Sequence, residues 1–157
     1  MQNNKSLYEF DHPVSDEQIL EAAAYIIAQK QFRHGALTCP KDSEEYLRHK
    51  LALIEHEVFS VLFLDSQNRI LEYKELFRGT INAASVYPRE VVKEVLALNA
   101  ASIILAHNHP SGVSTPSQAD KLITTKLQQA LNLIDVSIVD HIIIGETSYS
   151  FAEHGLI

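Results

Sequence analysis

At 157 residues the chain has the length of one domain, and its 46% hydrophobic and 21% charged residues are those of an ordinary globular protein rather than a fibrous or low-complexity one. A single cysteine, Cys39, excludes an intramolecular disulfide and a thiolate zinc cluster. The net charge is −7, and Arg48, Lys50, Arg69, Lys74, Arg78, Arg89 and Lys93 are scattered rather than striped, which speaks against tight nucleic-acid binding.

Residues 1–14 are polar; the opening MQNNKSLYEF lacks the apolar stretch of a secretory signal, and no apolar run nears the ~20 residues that span a bilayer. A cytoplasmic protein with no membrane partner is the expectation. SDEQILEAAAYIIAQKQF then predicts a helix: Ser15 and Gln18 have the spacing of a capping box, and Asp16 and Glu17 suit the positive end of the helix dipole. RHGALTCPKD is a connector. A second helix is expected after Ser43, with Tyr46, Leu47, Leu51 and Ile54 on one side.

From Glu57 the texture changes to β-branched and aromatic. EVFSVLFLD and ILEYKELF, separated by the turn residues DSQNR, predict a hairpin. YPREVVKEVLALNA predicts a helix with Pro88 in its first turn. ASIILA is a short buried strand, TPSQADKLITTKLQQALN a helix, and DVSIVD, HIIIG and SYSFAE are closing strands. The mixed order predicts an α+β or α/β sandwich, a single domain with a central mixed sheet flanked by helices.

The chemistry gathers in AHNHPSGVSTPSQAD, residues 106–120. His107 and His109 lie two apart at a strand end, so both imidazoles face one side and Asn108 faces the other. Pro110, Ser111 and Gly112 turn the chain. Thr115 and Gln118 have capping-box spacing with Pro116 at the first helical position, which puts Ser117 and Asp120 on one face of the helix start. Two imidazole nitrogens and one carboxylate oxygen form a catalytic zinc set with the fourth position left for water. A proton-relaying base is also needed, and Glu55 and Glu57 both qualify on spacing. The remaining histidines, His12, His34, His49, His56, His141 and His154, read as structural or exposed. Asp140 and His141 are left out of the site, because neighbours on a strand point to opposite faces. Arg78, Thr80, Arg89 and Glu90 read as fold support, and Cys39 as a small apolar residue. HEVFS lacks the second histidine of a zincin helix, and one cysteine forbids a deaminase zinc pair.

The order His-x-His, seven residues, Ser, two residues, Asp resembles the JAMM motif of JAB/MPN metalloproteases, met here by His107, His109, Ser117 and Asp120. The upstream Glu-x-x-small-x-Leu of that motif is matched by Glu57, Ser60 and Leu62, not by Glu55. FRGTINAASVYPREVVKEVL, ILAHNHPSG, TPSQAD and DHIIIG resemble, in order, blocks of the bacterial RadC-like branch, over roughly residues 43–157. The resemblance implies a JAB/MPN-like (cytidine deaminase-like) domain over 43–157, behind an N-terminal extension, 1–42, with one helix. Longer members of the branch carry a helix-hairpin-helix-like region that 1–42 is too short to supply in full.

The resemblance also implies roles. His107, His109 and Asp120 would bind zinc. Glu57 would be the general base, and Ser117 would hydrogen-bond the oxyanion or the water. The expected function is a zinc-dependent hydrolase of the JAMM metalloprotease type acting on a peptide or isopeptide bond of a peptide or protein substrate. Serine is, however, also common in the first turn of any helix. The alternatives are a DNA-repair or mobile-element-associated module with a structural metal, and a metal-dependent nuclease. The sequence leaves open whether the protein is a homodimer.

Overall fold

The computed structural model describes residues 13–34, 40–79 and 86–157. His12, Cys39 and Thr80, and the side chain of His34, lie outside the described residues. The chain runs α1 (Asp16–His34), α2 (Pro40–Leu51), β1 (Val58–Leu64), β2 (Ile70–Arg78), α3 (Pro88–Ala97), β3 (Ser102–Asn108), α4 (Gln118–Asn132), β4 (Ser137–Ile144) and β5 (Ser148–Ser150). The strands form one mixed sheet in the order β2-β1-β3-β4-β5. Among the described residues only β3 and β4 pair in parallel, as a strand–helix–strand crossover through α4 allows.

The expected hairpin is β1–β2. Its turn is closed by Asp65, whose Oδ1 accepts from the backbone N–H groups of Gln67 and Arg69, while Asn68 takes the left-handed conformation. The period of two along the central strands sorts their side chains into two cores. Phe59, Val61, Phe63, Ile103 and Leu105 pack with Val91, Val95, Ile123, Leu127 and Leu131 of α3 and α4. Val58, Leu62, Leu64, Ile104 and Ala106 pack on the other side with Ala24, Tyr46, Leu47 and Leu51 of α1 and α2. The result is a sheet between two helical layers, the α+β sandwich expected, and it buries every residue of β1 and β3. No helix of the described residues is long and apolar enough to cross a membrane.

The capping box at Ser15 and Gln18 forms as expected: Gln18 N–H bonds Ser15 Oγ at 3.3 Å and Ser15 N–H bonds Gln18 Oε1 at 2.9 Å. Three expectations differ. α2 begins at Pro40 rather than after Ser43, because proline suits a first helical turn and Ser43 is buried inside the helix. Of the three closing strands, DVSIVD and HIIIG are one continuous strand, β4, because the polar pair in its middle is buried with dedicated partners rather than marking a turn. Finally, α4 is capped by Ser117, not Thr115.

Candidate metal centre

The antiparallel pairing of β1 with β3 puts Phe59 opposite His107. Continued two residues further, that register brings Glu57, just ahead of β1, to the level of His109. The start of α4 closes the third side. His107 is fully buried on the α4 side of the sheet, and His109 sits just past the strand end.

The chain crosses from β3 to α4 through a turn held against the end of β4. His109 N–H bonds the Ile144 carbonyl at 2.8 Å, and Glu146 N–H bonds that of Gly112 at 2.8 Å. A side chain at Gly145 would bring its Cβ within 2.3 Å of the Gly112 carbonyl oxygen, so only glycine allows this approach.

Asn108 faces away from the two histidines, as expected, but it is not idle. Its Oδ1 accepts from Val58 N–H at 2.8 Å, and its Nδ2 donates to the carbonyls of Ile54 (2.9 Å) and His56 (3.0 Å). The residue between the histidines thus ties down the connector that carries Glu57.

The cap of α4 aims Asp120. Both Thr115-x-x-Gln118 and Ser117-x-x-Asp120 have the capping spacing, and the carboxylate wins. Asp120 Oδ2 accepts from Ser117 N–H (2.7 Å) and Ser117 Oγ–H (2.7 Å), while Ser117 Oγ accepts from Asp120 N–H (3.1 Å). Ser117 is therefore the cap itself rather than a neighbour on the helix face, and its hydroxyl proton is engaged with Asp120. The other carboxylate oxygen, Oδ1, is buried and has no hydrogen-bond donor among the described residues.

That oxygen lies beside the His107 imidazole. His107 Nε2 lies 2.9 Å from His109 Nε2 and 3.2 Å from Asp120 Oδ1, and His109 Nε2 lies 3.7 Å from Asp120 Oδ2. A carboxylate oxygen of Glu57 and one nitrogen from each histidine also fall within 4.8 Å of one another. Glu55 is exposed and outside this group. It lines a neighbouring groove of about 560 Å³ with His109, Gly112 and Glu146.

The hydrogen bonds assign the tautomers. His109 Nδ1 is 2.6 Å from the Val113 carbonyl, which can only accept, so Nδ1 carries the proton. Thr124 Oγ1 donates its one proton to the Asp120 carbonyl (2.6 Å) and so accepts from His141 Nδ1 (2.6 Å). Burial holds His141 neutral, its pKa far below the ordinary value. Its Nε2 is then an acceptor, and takes the Nδ1 proton of His107 at 2.8 Å. Both Nε2 lone pairs and a carboxylate are left converging on one place, an arrangement that requires positive charge among them. Burial alone would raise the Asp120 carboxyl, but the adjacent His107 imidazole and the donors of Ser117 more than reverse this and hold it well below the usual range.

The sequence alone places His141 outside the site, and the structure corrects this. Asp140 and His141 do point to opposite faces, but His141 points at His107. Its signal was an imidazole inside the apolar run IVDHIIIG. Asp140 turns the other way, accepting from Ser150 Oγ–H (2.6 Å) and Ala152 N–H (2.9 Å). Arg78 pairs with Glu75 and Glu90 with Lys93, in keeping with fold support.

A family model described as "RadC-like JAB domain" matches residues 37–156. A UPF0758 protein of Vibrio cholerae is 55% identical over 155 residues, covering 99% of both chains. A UPF0758 protein of Pseudoalteromonas translucida is 54% identical over 142 residues and one of Leptothrix cholodnii 51% identical over 142 residues; each match covers 90% of this chain. The chain spans 63% of the length of the former relative and 64% of the latter.

Proposed function

Because the chain belongs to the family of RadC-like JAB domains, we propose that His107, His109 and Asp120 bind a zinc ion and that the protein is a metal-dependent hydrolase of peptide or isopeptide bonds. The observation that carries this reading is the buried Asp120 Oδ1, which lacks a donor and lies 3.2 Å from His107 Nε2, itself 2.9 Å from His109 Nε2. The 2.9 Å between the two Nε2 atoms and the 3.2 Å between His107 Nε2 and Asp120 Oδ1 lie near the roughly 3.3 Å between ligands of a tetrahedral zinc ion with bonds of about 2.0–2.1 Å. Nitrogen and carboxylate donors with no thiolate suit zinc at a catalytic rather than a purely structural site.

When bound, zinc lowers the pKa of water to about 7 and polarises a carbonyl. The residues of the chain do the rest. Glu57 takes the proton of the attacking water and delivers it to the leaving amine. Asn108 holds the connector that sets the position of Glu57. Ser117 holds Asp120, and can donate to an oxyanion once its hydroxyl leaves Oδ2. A screen of peptide, isopeptide and nucleic-acid substrates with the zinc-loaded protein tests this reading. Cleavage of an amide bond that is lost in Glu57→Gln supports it, whereas cleavage of nucleic acid alone would replace it with a nuclease.

A further inference from the structure

Behind the cluster lies a second polar unit that the proposed reaction does not use. His141 is fully buried and boxed by aromatic rings, stacked on Phe151 at 4.6 Å and edge-on to Phe59 at 5.8 Å. An apolar side chain would fill that box without the cost of burying two polar nitrogens. Both nitrogens are instead satisfied: Nδ1 by Thr124 Oγ1 at 2.6 Å and Nε2 by His107 Nδ1 at 2.8 Å. Thr124, also buried, in turn donates to the backbone carbonyl of Asp120 at 2.6 Å. The chain of bonds therefore starts on one proposed ligand, Asp120, and ends on another, His107.

We propose that Thr124 and His141 form a positioning relay that fixes His107 as the tautomer whose Nε2 lone pair faces His109 and Asp120. The direction of the relay is set at its far end. A backbone carbonyl only accepts, so the Thr124 proton is committed, so His141 must donate through Nδ1, so its Nε2 must accept, so His107 must carry its proton on Nδ1. Without the Thr124 hydroxyl, His141 loses the reason to keep its proton on Nδ1. It becomes free to donate through Nε2, which forces the lone pair of His107 onto Nδ1 and a proton onto the nitrogen that faces the cluster. The relay also ties β3, β4 and α4 together at the site, since its members come one from each. Both residues act through His107; neither touches the reacting atoms.

The inference rests on the zinc reading only in its affinity arm. The test is nitrogen-15 NMR of the metal-free protein, with zinc affinity measured by chelator competition. In the wild type, the proton between the two rings should reside on His107 Nδ1, with a scalar coupling across the hydrogen bond to His141 Nε2. Thr124→Val keeps the side-chain shape and should move that proton partly onto His141 Nε2 and weaken zinc binding by about 10-fold, at the lower end of the usual effect of such outer partners. Thr124→Ser, which restores the hydroxyl, should restore both properties. Circular dichroism of the variants separates this from unfolding. A His107 Nδ1 proton unmoved in Thr124→Val would overturn the proposal, as would wild-type zinc affinity in that variant. A wild type that binds no zinc while the tautomer shift still follows Thr124 would remove the zinc reading and leave the relay standing.

Discussion

At the scale of single residues, the site depends on side chains that hold others in place. Glu57 differs from the histidines in its proposed task, since it accepts a proton rather than supplying a ligand. Glu57→Gln preserves shape and one acceptor but removes the charge. Fold and zinc content should survive it, because His107, His109 and Asp120 still converge, and amide hydrolysis should fall by roughly 10²–10⁴. Zinc loss measured by elemental analysis in that variant would make Glu57 a ligand, as its presence within 4.8 Å of both imidazoles allows. Some residues at this scale were legible and some were not. The i, i+2 spacing of His107 and His109 states their common direction, because strand geometry is local. His141 was not legible, because its partner lies across a parallel β3–β4 pairing that no local pattern announces. Asn108 was read correctly as facing away, but what it faces is decided by the antiparallel neighbour β1.

At the scale of elements, the cap of α4 and the end of β4 each link local stability to the site. Ser117→Ala removes the hydroxyl from the capping box and should cost about 1 kcal/mol of stability in urea unfolding. It should also weaken zinc binding by about 10-fold, because Asp120 Oδ2 loses one of its two donors. Stability and zinc affinity both equal to wild type would show that Thr115 can take over the cap. Helix α4 was legible as an element but its register was not: two overlapping Ser/Thr-x-x-acceptor pairs exist, and a carboxylate that takes two donors outweighs an amide. In β4, burial pushes the Asp140 carboxyl above its ordinary value, and the donors from Ser150, Ala152 and His141 only partly offset this. A carboxyl raised in the folded state contributes stability that is present below its unfolded pKa of about 3.9 and lost as pH rises through the folded value. Asp140→Asn removes that dependence. Relative to wild type, its unfolding free energy should rise as pH increases from about 4 toward neutrality. A variant that instead loses ground over that interval would show that the native carboxylate is stabilised by its donors.

At the scale of the whole molecule, the sandwich leaves an acidic surface. The net charge is −7, and Arg48, Arg69, Lys74, Arg78 and Lys93 each face a carboxylate within 2.6–3.9 Å. Duplex or single-stranded DNA should therefore bind no tighter than about 10⁻⁴–10⁻⁶ M at physiological salt, the nonspecific range. A nanomolar complex by fluorescence anisotropy would instead favour a nucleic-acid-associated module. The layered fold was legible because the period-two strands and capped helices alternate along the chain. The extent of the N-terminal helices was not, since Ala24 of α1 finds its place only against Tyr46, Leu47 and Leu51 of α2. In the proposed reading, the fold brings a strand end, a helix start and a strand entry together around one ion. Elemental analysis of protein purified without added metal tests it most directly. About one zinc per chain is expected, largely lost in His109→Ala and absent when His107, His109 and Asp120 are all replaced by alanine. Stoichiometric zinc retained by the triple variant would contradict it.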